Sequence, residues 1–403
     1  MRFNPFYFLS ALIVLFNSQI FRKAAANPLG VAGVQEFFYA VLSVWALASV
    51  LAQIVDCGRV NRLDLFVLLS VVGLSVYSAT LAFFGFGQPI FYGLIEERRL
   101  LSLLVYFPIS TMLIRRWVTI AKLENLVIAV ALLCAAITIA VYIGIIPEIS
   151  TVQQRESSIR GERYGVGQHF IAIAILYLLA RAGASTINFR QGLAGFLFLV
   201  LLIIVQTRHI LFGLVGSLVI MLTNVRVIAT LVVAIILFAV LVSMSPQVNT
   251  FLQNYRVILQ GGFTVEYFTQ SWRAQSIGVA IDSFFGSGFW GNGALLLAWN
   301  DGFHRIHGPY FFLADIGFFG SLYRYGVVGL VVYLFYVLIQ TRLLLGINRK
   351  DKRILYAAFF VMIIVGAPLS APLEYRGFLT GFVLAVTAFL ARGHSSKEMP
   401  PNG

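Results

Sequence analysis

Between residues 5 and 391 the sequence keeps returning to long apolar runs separated by short basic stretches. A helix that crosses a bilayer needs about 17–25 such residues. Hydrocarbon offers no water to unpaired N–H and C=O groups, so only helices and closed barrels can span it. Twelve runs qualify, near 5–21, 31–55, 63–85, 100–114, 124–146, 167–182, 191–206, 209–222, 227–244, 326–341, 354–373 and 377–391, the shorter ones completed by flanking residues. Only 11% of the 403 residues are charged and 60% are apolar, where a soluble domain carries about 25% charged residues. The expectation is an all-α polytopic membrane protein with about 12 transmembrane helices, one integral membrane domain over residues 1–403. The first run resembles a signal peptide followed by Ala24-Ala25-Ala26, but Arg22 and Lys23 intervene, a poor arrangement for cleavage, so it reads as a retained helix. Cys57 and Cys134 lie in a basic loop and an apolar run, and no disulfide is expected.

A net charge of +13 would suggest nucleic acid for a soluble chain. In a membrane chain the distribution matters more, because cytoplasmic loops collect Lys and Arg. With both termini cytoplasmic, 16 of the 29 basic residues fall in short inner segments, among them Arg115, Arg116, Lys122, Arg181, Arg190, Arg349, Lys350 and Lys352. The inner lysines read as ordinary anchors. The outer side then holds loop 147–166 and a larger periplasmic loop, 245–325, between the ninth and tenth spans. Of the thirteen basic residues left outside, only Lys23 is not arginine. Guanidinium binds phosphate bidentately where ammonium acts as a point charge, so this face suits an anionic, phosphate-bearing ligand. An Arg-rich genome would produce the same pattern in so small a set.

Four outer groups could carry chemistry. Loop 147–166 holds Arg155, Arg160 and Arg163 with Glu156 and Glu162. Arg208 lies beside His209 in a tight turn between two apolar helices, either pointing inward or snorkelling at the interface. Arg273 lies on an expected amphipathic surface helix within 263–285, after which Gly286, Gly288, Gly291 and Gly293 suggest a flexible turn around Trp290. His304 and His307 precede a segment that re-enters the membrane through Asp315 and Arg324. With an ordinary pKa near 6.5, His307 is the best general-base candidate and His304 its weaker twin. No cluster has metal-ligand spacing, although His304 and His307 share a helical face at i, i+3. No Walker A sequence, dinucleotide turn or Asp-x-Asp pair is present. No metal or other cofactor is expected, and an outer-face enzyme, lacking nucleotides, would need a donor that is lipid-linked and already activated.

Three patterns resemble the bacterial O-antigen polymerase and O-antigen ligase superfamily of integral membrane glycosyltransferases. They are Thr207-Arg208 before Leu211-Phe212-Gly213-Leu214-Val215-Gly216; Trp272-Arg273 before Ser283-Phe284-Phe285-Gly286-Ser287-Gly288-Phe289-Trp290-Gly291; and His307-Gly308-Pro309-Tyr310-Phe311 before Gly317, Gly320, Gly326 and Gly329. Gly308 stands where the family usually has asparagine, and Asp315 where it often has Glu. The resemblance implies a GT-C-like fold and a metal-independent, inverting transfer at the periplasmic face of the bacterial inner membrane. The donor would be an undecaprenyl-diphosphate-linked glycan and the acceptor a sugar hydroxyl, on a lipid-linked repeat or on lipid A–core. Arg208 and Arg273 would hold the diphosphate, and His307 would be base or orienter. Arg160, Arg163, His304 and Tyr310 would touch glycan or phosphate, and a chain-length regulator protein could be a partner. Tyr164, Trp290, Trp299 and Tyr310 could stack on sugars or simply form an interfacial belt.

Within that family, Ala314-Asp315-Ile316-Gly317 with Tyr323-Arg324-Tyr325-Gly326 looks more like the polymerases. A transporter of anionic lipids would also suit many spans, but transporters place charges near the midplane of two related halves. No half-to-half similarity is visible here.

Overall fold

The structure is a computed structural model that describes residues 5–18, 33–146, 166–182, 189–205, 208–221, 272–308, 311 and 313–393, without the side chains of Cys57, Ile203, Arg208, His209, Trp272 and Leu369. The described residues are all-helical in their regular structure. In chain order they form α1 (Pro5–Asn17), α2 (Gly33–Cys57), α3 (Arg62–Phe86), α4 (Ile90–Glu96), a 3₁₀ segment (Glu97–Val105), α5 (Tyr106–Ile114), α6 (Ile120–Tyr142), α7 (Gln168–Arg181), α8 (Phe189–Val200) and a π turn (Leu201–Val205). Then follow α9 (Arg208–Met221), α10 (Trp272–Gly286), α11 (His304–His307), α12 (Gly317–Leu345), α13 (Lys350–Val365) and α14 (Gly377–Ala391), with short 3₁₀ turns before α12 and α14.

Among the described residues, four helices are long and apolar enough to cross a membrane: Gly33–Asp56, Arg62–Phe86, Ile120–Tyr142 and Gly317–Leu345. Shorter apolar helices accompany them, including Pro5–Asn17, Gln168–Arg181 and Gly377–Ala391. The expected run 227–244 lies outside the described residues. Run 100–114 is not one helix: its first half continues the 3₁₀ segment, and only Tyr106–Ile114 is α-helical. That segment packs tightly because α14 presents Gly377 and Gly381 to it. A Cβ on Gly377 would lie 2.3 Å from Ser102 Oγ, and one on Gly381 2.5 Å from the Leu103 carbonyl oxygen. Small residues one turn apart let backbones approach where hydrophobicity alone cannot drive helices together. Likewise Gly213 of α9 faces Met362 of α13, and Ser217 donates to the Ala358 carbonyl at 2.6 Å.

α12 begins nine residues before the expected span 326–341, and it is broken at Gly326 (φ 56, ψ −140). Residues 289–296 fill that break. Val327 donates to the Phe289 carbonyl at 2.8 Å, while Asn292 and Gly293 donate to the carbonyls of Tyr323 (2.7 Å) and Arg324 (2.9 Å). From α3, Tyr77 donates to the Trp290 carbonyl at 2.7 Å. The wholly buried Gln88 clamps the far end, donating to the Ala294 carbonyl at 2.9 Å and accepting from Leu296 N–H at 2.8 Å. Gly293 sits against Ser78 and Ala82 of α3, roughly 6–12 Å along the helix from its Phe86 end. Of the glycines expected to make a flexible turn, Gly291 and Gly293 are instead close-approach positions, while Gly286 and Gly288 have room around them. A Cβ on Gly291 would meet Gly326 N at 2.6 Å, and one on Gly326 would meet the Phe289 oxygen at 2.1 Å. Extended backbone survives among apolar helices only when protein satisfies its polar groups, and here helix break and inserted segment satisfy each other.

Candidate functional site

The inserted segment and the start of α12 bring charge into one place. Gly317 (φ 50) packs on the backbone of Ala367–Ser370, and two turns later α12 carries Arg324 inward. Its guanidinium, 4% exposed, lies 3.3 Å from Glu96 and 3.6 Å from the fully buried Glu97. These carboxylates end α4 and begin the 3₁₀ segment. Glu97 also accepts from Ser78 Oγ at 2.6 Å and from the Tyr325 hydroxyl. Glu374 accepts from Ser321 Oγ at 2.9 Å. Arg99 lies 4.6 Å from the centre of the Tyr375 ring, a cation–π contact.

A cavity of about 210 Å³ opens on this network, walled by Glu96, Arg99, Arg324, Tyr375 and His304 with Phe303 and Phe311. Glu96 keeps 21% of its side-chain exposure, so the cavity holds a carboxylate that is ion-paired yet reachable. Arg324 Nε is buried with no hydrogen-bond partner among the described residues.

Both histidines come from α11, which is delivered by a left-handed turn at Asn300 (φ 47), Asp301 (φ 57) and Gly302 (φ 48), residue types that tolerate that conformation best. His304 lines the cavity. His307, one turn on, sits in an aromatic cluster: Nε2 is 2.8 Å from the Tyr323 hydroxyl, and the ring centre is 4.6 Å from that of Phe311. Burial lowers its pKa below the ordinary value of 6.5. Burial thus favours the neutral imidazole, with Nε2 held against the Tyr323 hydroxyl.

The remaining arginines expected on the outer side divide by environment. Arg273 is exposed on the first turn of α10 and is not among the residues lining this cavity. The antiparallel register of α9 on α13, Gly213 opposite Met362 and Ser217 opposite Ala358, sets the Arg208 backbone level with Gly366–Ala367; its side chain lies outside the described residues. Arg155, Glu156, Arg160, Glu162, Arg163, Tyr164 and Tyr310 also lie outside them. Arg98 pairs with Glu36 at 2.9 Å, and Arg305 lies 5.5 Å from the centre of the Trp299 ring. Arg376 is 2% exposed and donates to the carbonyls of Met362 (2.9 Å) and Gly366 (3.4 Å), capping α13. Much of the outer guanidinium set is thus engaged within the protein. Sequence reasoning did not single out Glu96, Glu97, Arg99, Glu374 or Tyr375. The available signal was four successive charges, Glu96-Glu97-Arg98-Arg99, opening an apolar run.

No protein-family model matches the chain, and no curated protein matches it. Among solved structures it is similar to a chain in one described as the structural coordination of polymerization and crosslinking by a peptidoglycan synthase complex. The identity is 15% and the TM-score 0.46, over 82% of this chain and 98% of that one. At that level the likeness assigns no role to any residue.

Proposed function

We propose that the chain is a membrane glycosyltransferase that polymerises undecaprenyl-diphosphate-linked oligosaccharide repeats at the outer face of the bacterial inner membrane. The observation that carries this reading is the cavity where Glu96, Arg99, His304, Arg324 and Tyr375 share a wall among apolar helices. The motif resemblance and the lack of any nucleotide-binding sequence agree with it. The acceptor hydroxyl attacks the anomeric carbon of the donor, the bond from that carbon to the diphosphate oxygen breaks, and the diphosphate leaves with the electron pair. The hydroxyl proton goes to a base, for which Glu96 in the cavity and His307 are the candidates. Arg324, 3.3 Å away, holds Glu96 in place. Arg99, with Arg208 and Arg273, would stabilise the charge growing on the diphosphate. No metal is invoked.

The test gives purified protein an undecaprenyl-diphosphate-linked repeat as sole substrate and resolves the products on a gel. A ladder of longer glycans is the expected result. Product that forms only after adding lipid A–core would make the protein a ligase, and silence in both arms would remove the transferase reading.

A further inference from the structure

A larger cavity, about 710 Å³, lies where the segments expected to be cytoplasmic converge. Its wall carries five cations from separate parts of the chain: Arg116 after α5, Arg181 at the end of α7, Arg190 at the start of α8, and Arg349 and Lys352 at the start of α13. Among the described residues lining it, Glu124 of α6 is the one acid. That carboxylate, 2% exposed, sits between Arg181 (2.6 Å) and Lys352 (2.7 Å). Arg349 pairs with the exposed Asp351 at 3.1 Å, and the Arg190 guanidinium donates to the Arg181 backbone carbonyl at 3.0 Å. Arg116 holds a left-handed backbone (φ 56), a conformation that costs a non-glycine residue energy. After Glu124 and Asp351 are counted, the cavity keeps an excess of three positive charges. Repulsion among converging cations is relieved by an anion between them. The wall also has an apolar part, with Ile120, Phe389 and Leu390.

We infer that this cavity binds a phosphate group, that of an anionic lipid whose chain lies along Ile120, Phe389 and Leu390. Basic pockets between membrane helices recognise phosphate head groups by this combination of guanidinium donors and an apolar flank. Nothing in the proposed transfer requires this site, and it stands or falls separately from that reading.

The experiment titrates the purified full-length protein in a neutral detergent with short-chain phosphatidylglycerol, phosphatidylcholine and inorganic phosphate, reading bound ligand by native mass spectrometry. The cavity variant is Arg116→Gln with Arg190→Gln. The control is Arg342→Gln with Lys350→Gln, which removes the same charge from exposed positions that do not line the cavity. Phosphatidylglycerol is expected to bind about tenfold or more tighter than phosphatidylcholine, with about tenfold or more lost in the cavity variant and little in the control. Inorganic phosphate competing at the same concentration as the lipid would confirm the phosphate subsite and overturn the lipid tail's part in it. Equal losses in the cavity and control variants, or equal binding of the two lipids, would overturn the site. A melting temperature measured for each variant separates loss of binding from loss of fold.

Discussion

At one end of the bundle Arg324 and Glu97 are almost wholly withdrawn from solvent, 4% and 0% exposed. At the other, Arg181 and Lys352 flank Glu124 with 26% and 20% of their side chains still exposed. In the first cluster Arg324 pairs with both Glu96 and Glu97. The second keeps a surplus of cations around an open cavity. Buried charge must be matched within the protein, because removing one partner strands the other in low dielectric. Half-exposed charge can be left over and offered to a ligand. An arginine in a segment expected on the outer side is therefore not by itself an anion site: Arg376 caps a helix and Arg324 pairs with carboxylates, whereas at the other end the lining cations outnumber the lining acid among the described residues.

The sharpest way to break this comparison is to remove one charge from each cluster. Arg324→Met takes from the fully buried Glu97 the guanidinium 3.6 Å away and is expected to cost about 3–5 kcal/mol, read as a large drop in melting temperature in detergent. A melt within a degree of the parent would show that the cluster is hydrated and that burial does not distinguish the two ends. Next in size is Glu96→Gln, which should lower transfer about 100-fold while the protein melts almost normally. Undiminished product ladders would leave His307 as the base candidate.

At the cation-rich end, Glu124→Gln should cost only about 1 kcal/mol, because Arg181 and Lys352 can turn to water. The same change raises the cavity's charge by one, so phosphatidylglycerol should bind more tightly to it. Weaker binding would mean that Glu124 positions the cations more than it neutralises them.

The smallest effect concerns His307. Its folded pKa lies below the unfolded value of 6.5, so below that pH the unfolded chain takes up more protons. Stability then falls as pH drops through about 6.5 toward the folded pKa, and is fully present above 6.5. His307→Gln should flatten that part of the melting-temperature profile between about pH 5 and 7. An unchanged slope would assign it to other groups.

Much of the architecture was legible because apolar length is a local property. Runs 31–55, 63–85 and 124–146 reappear as Gly33–Cys57, Arg62–Phe86 and Ile120–Tyr142 within a few residues at each end. The loops expected on one side also meet, as Arg116, Arg181, Arg190, Arg349 and Lys352 share a cavity wall. The start of α12 was misplaced because Arg324 looks like the polar edge of a span. It is tolerated inside the helix only because Glu96 and Glu97, more than two hundred residues earlier, supply the counter-charge. Gly291 and Gly293 were misread for a similar reason. Flexibility and close approach call for the same residue, and only the facing backbone of Tyr323–Val327 tells them apart.

Among the site candidates, His304 and Arg324 meet on one wall with Glu96 and Arg99, while His307 lies beside them in an aromatic cluster and Arg273 stands exposed on α10. By itself, then, the sequence determined that this chain builds apolar helices with cations concentrated in one set of connecting segments, since hydropathy and charge are written residue by residue. Only the tertiary structure decided which charges cancel and which remain. Coulombic pairing depends on distances of a few ångströms between segments that are remote in the chain, and no local pattern encodes those distances.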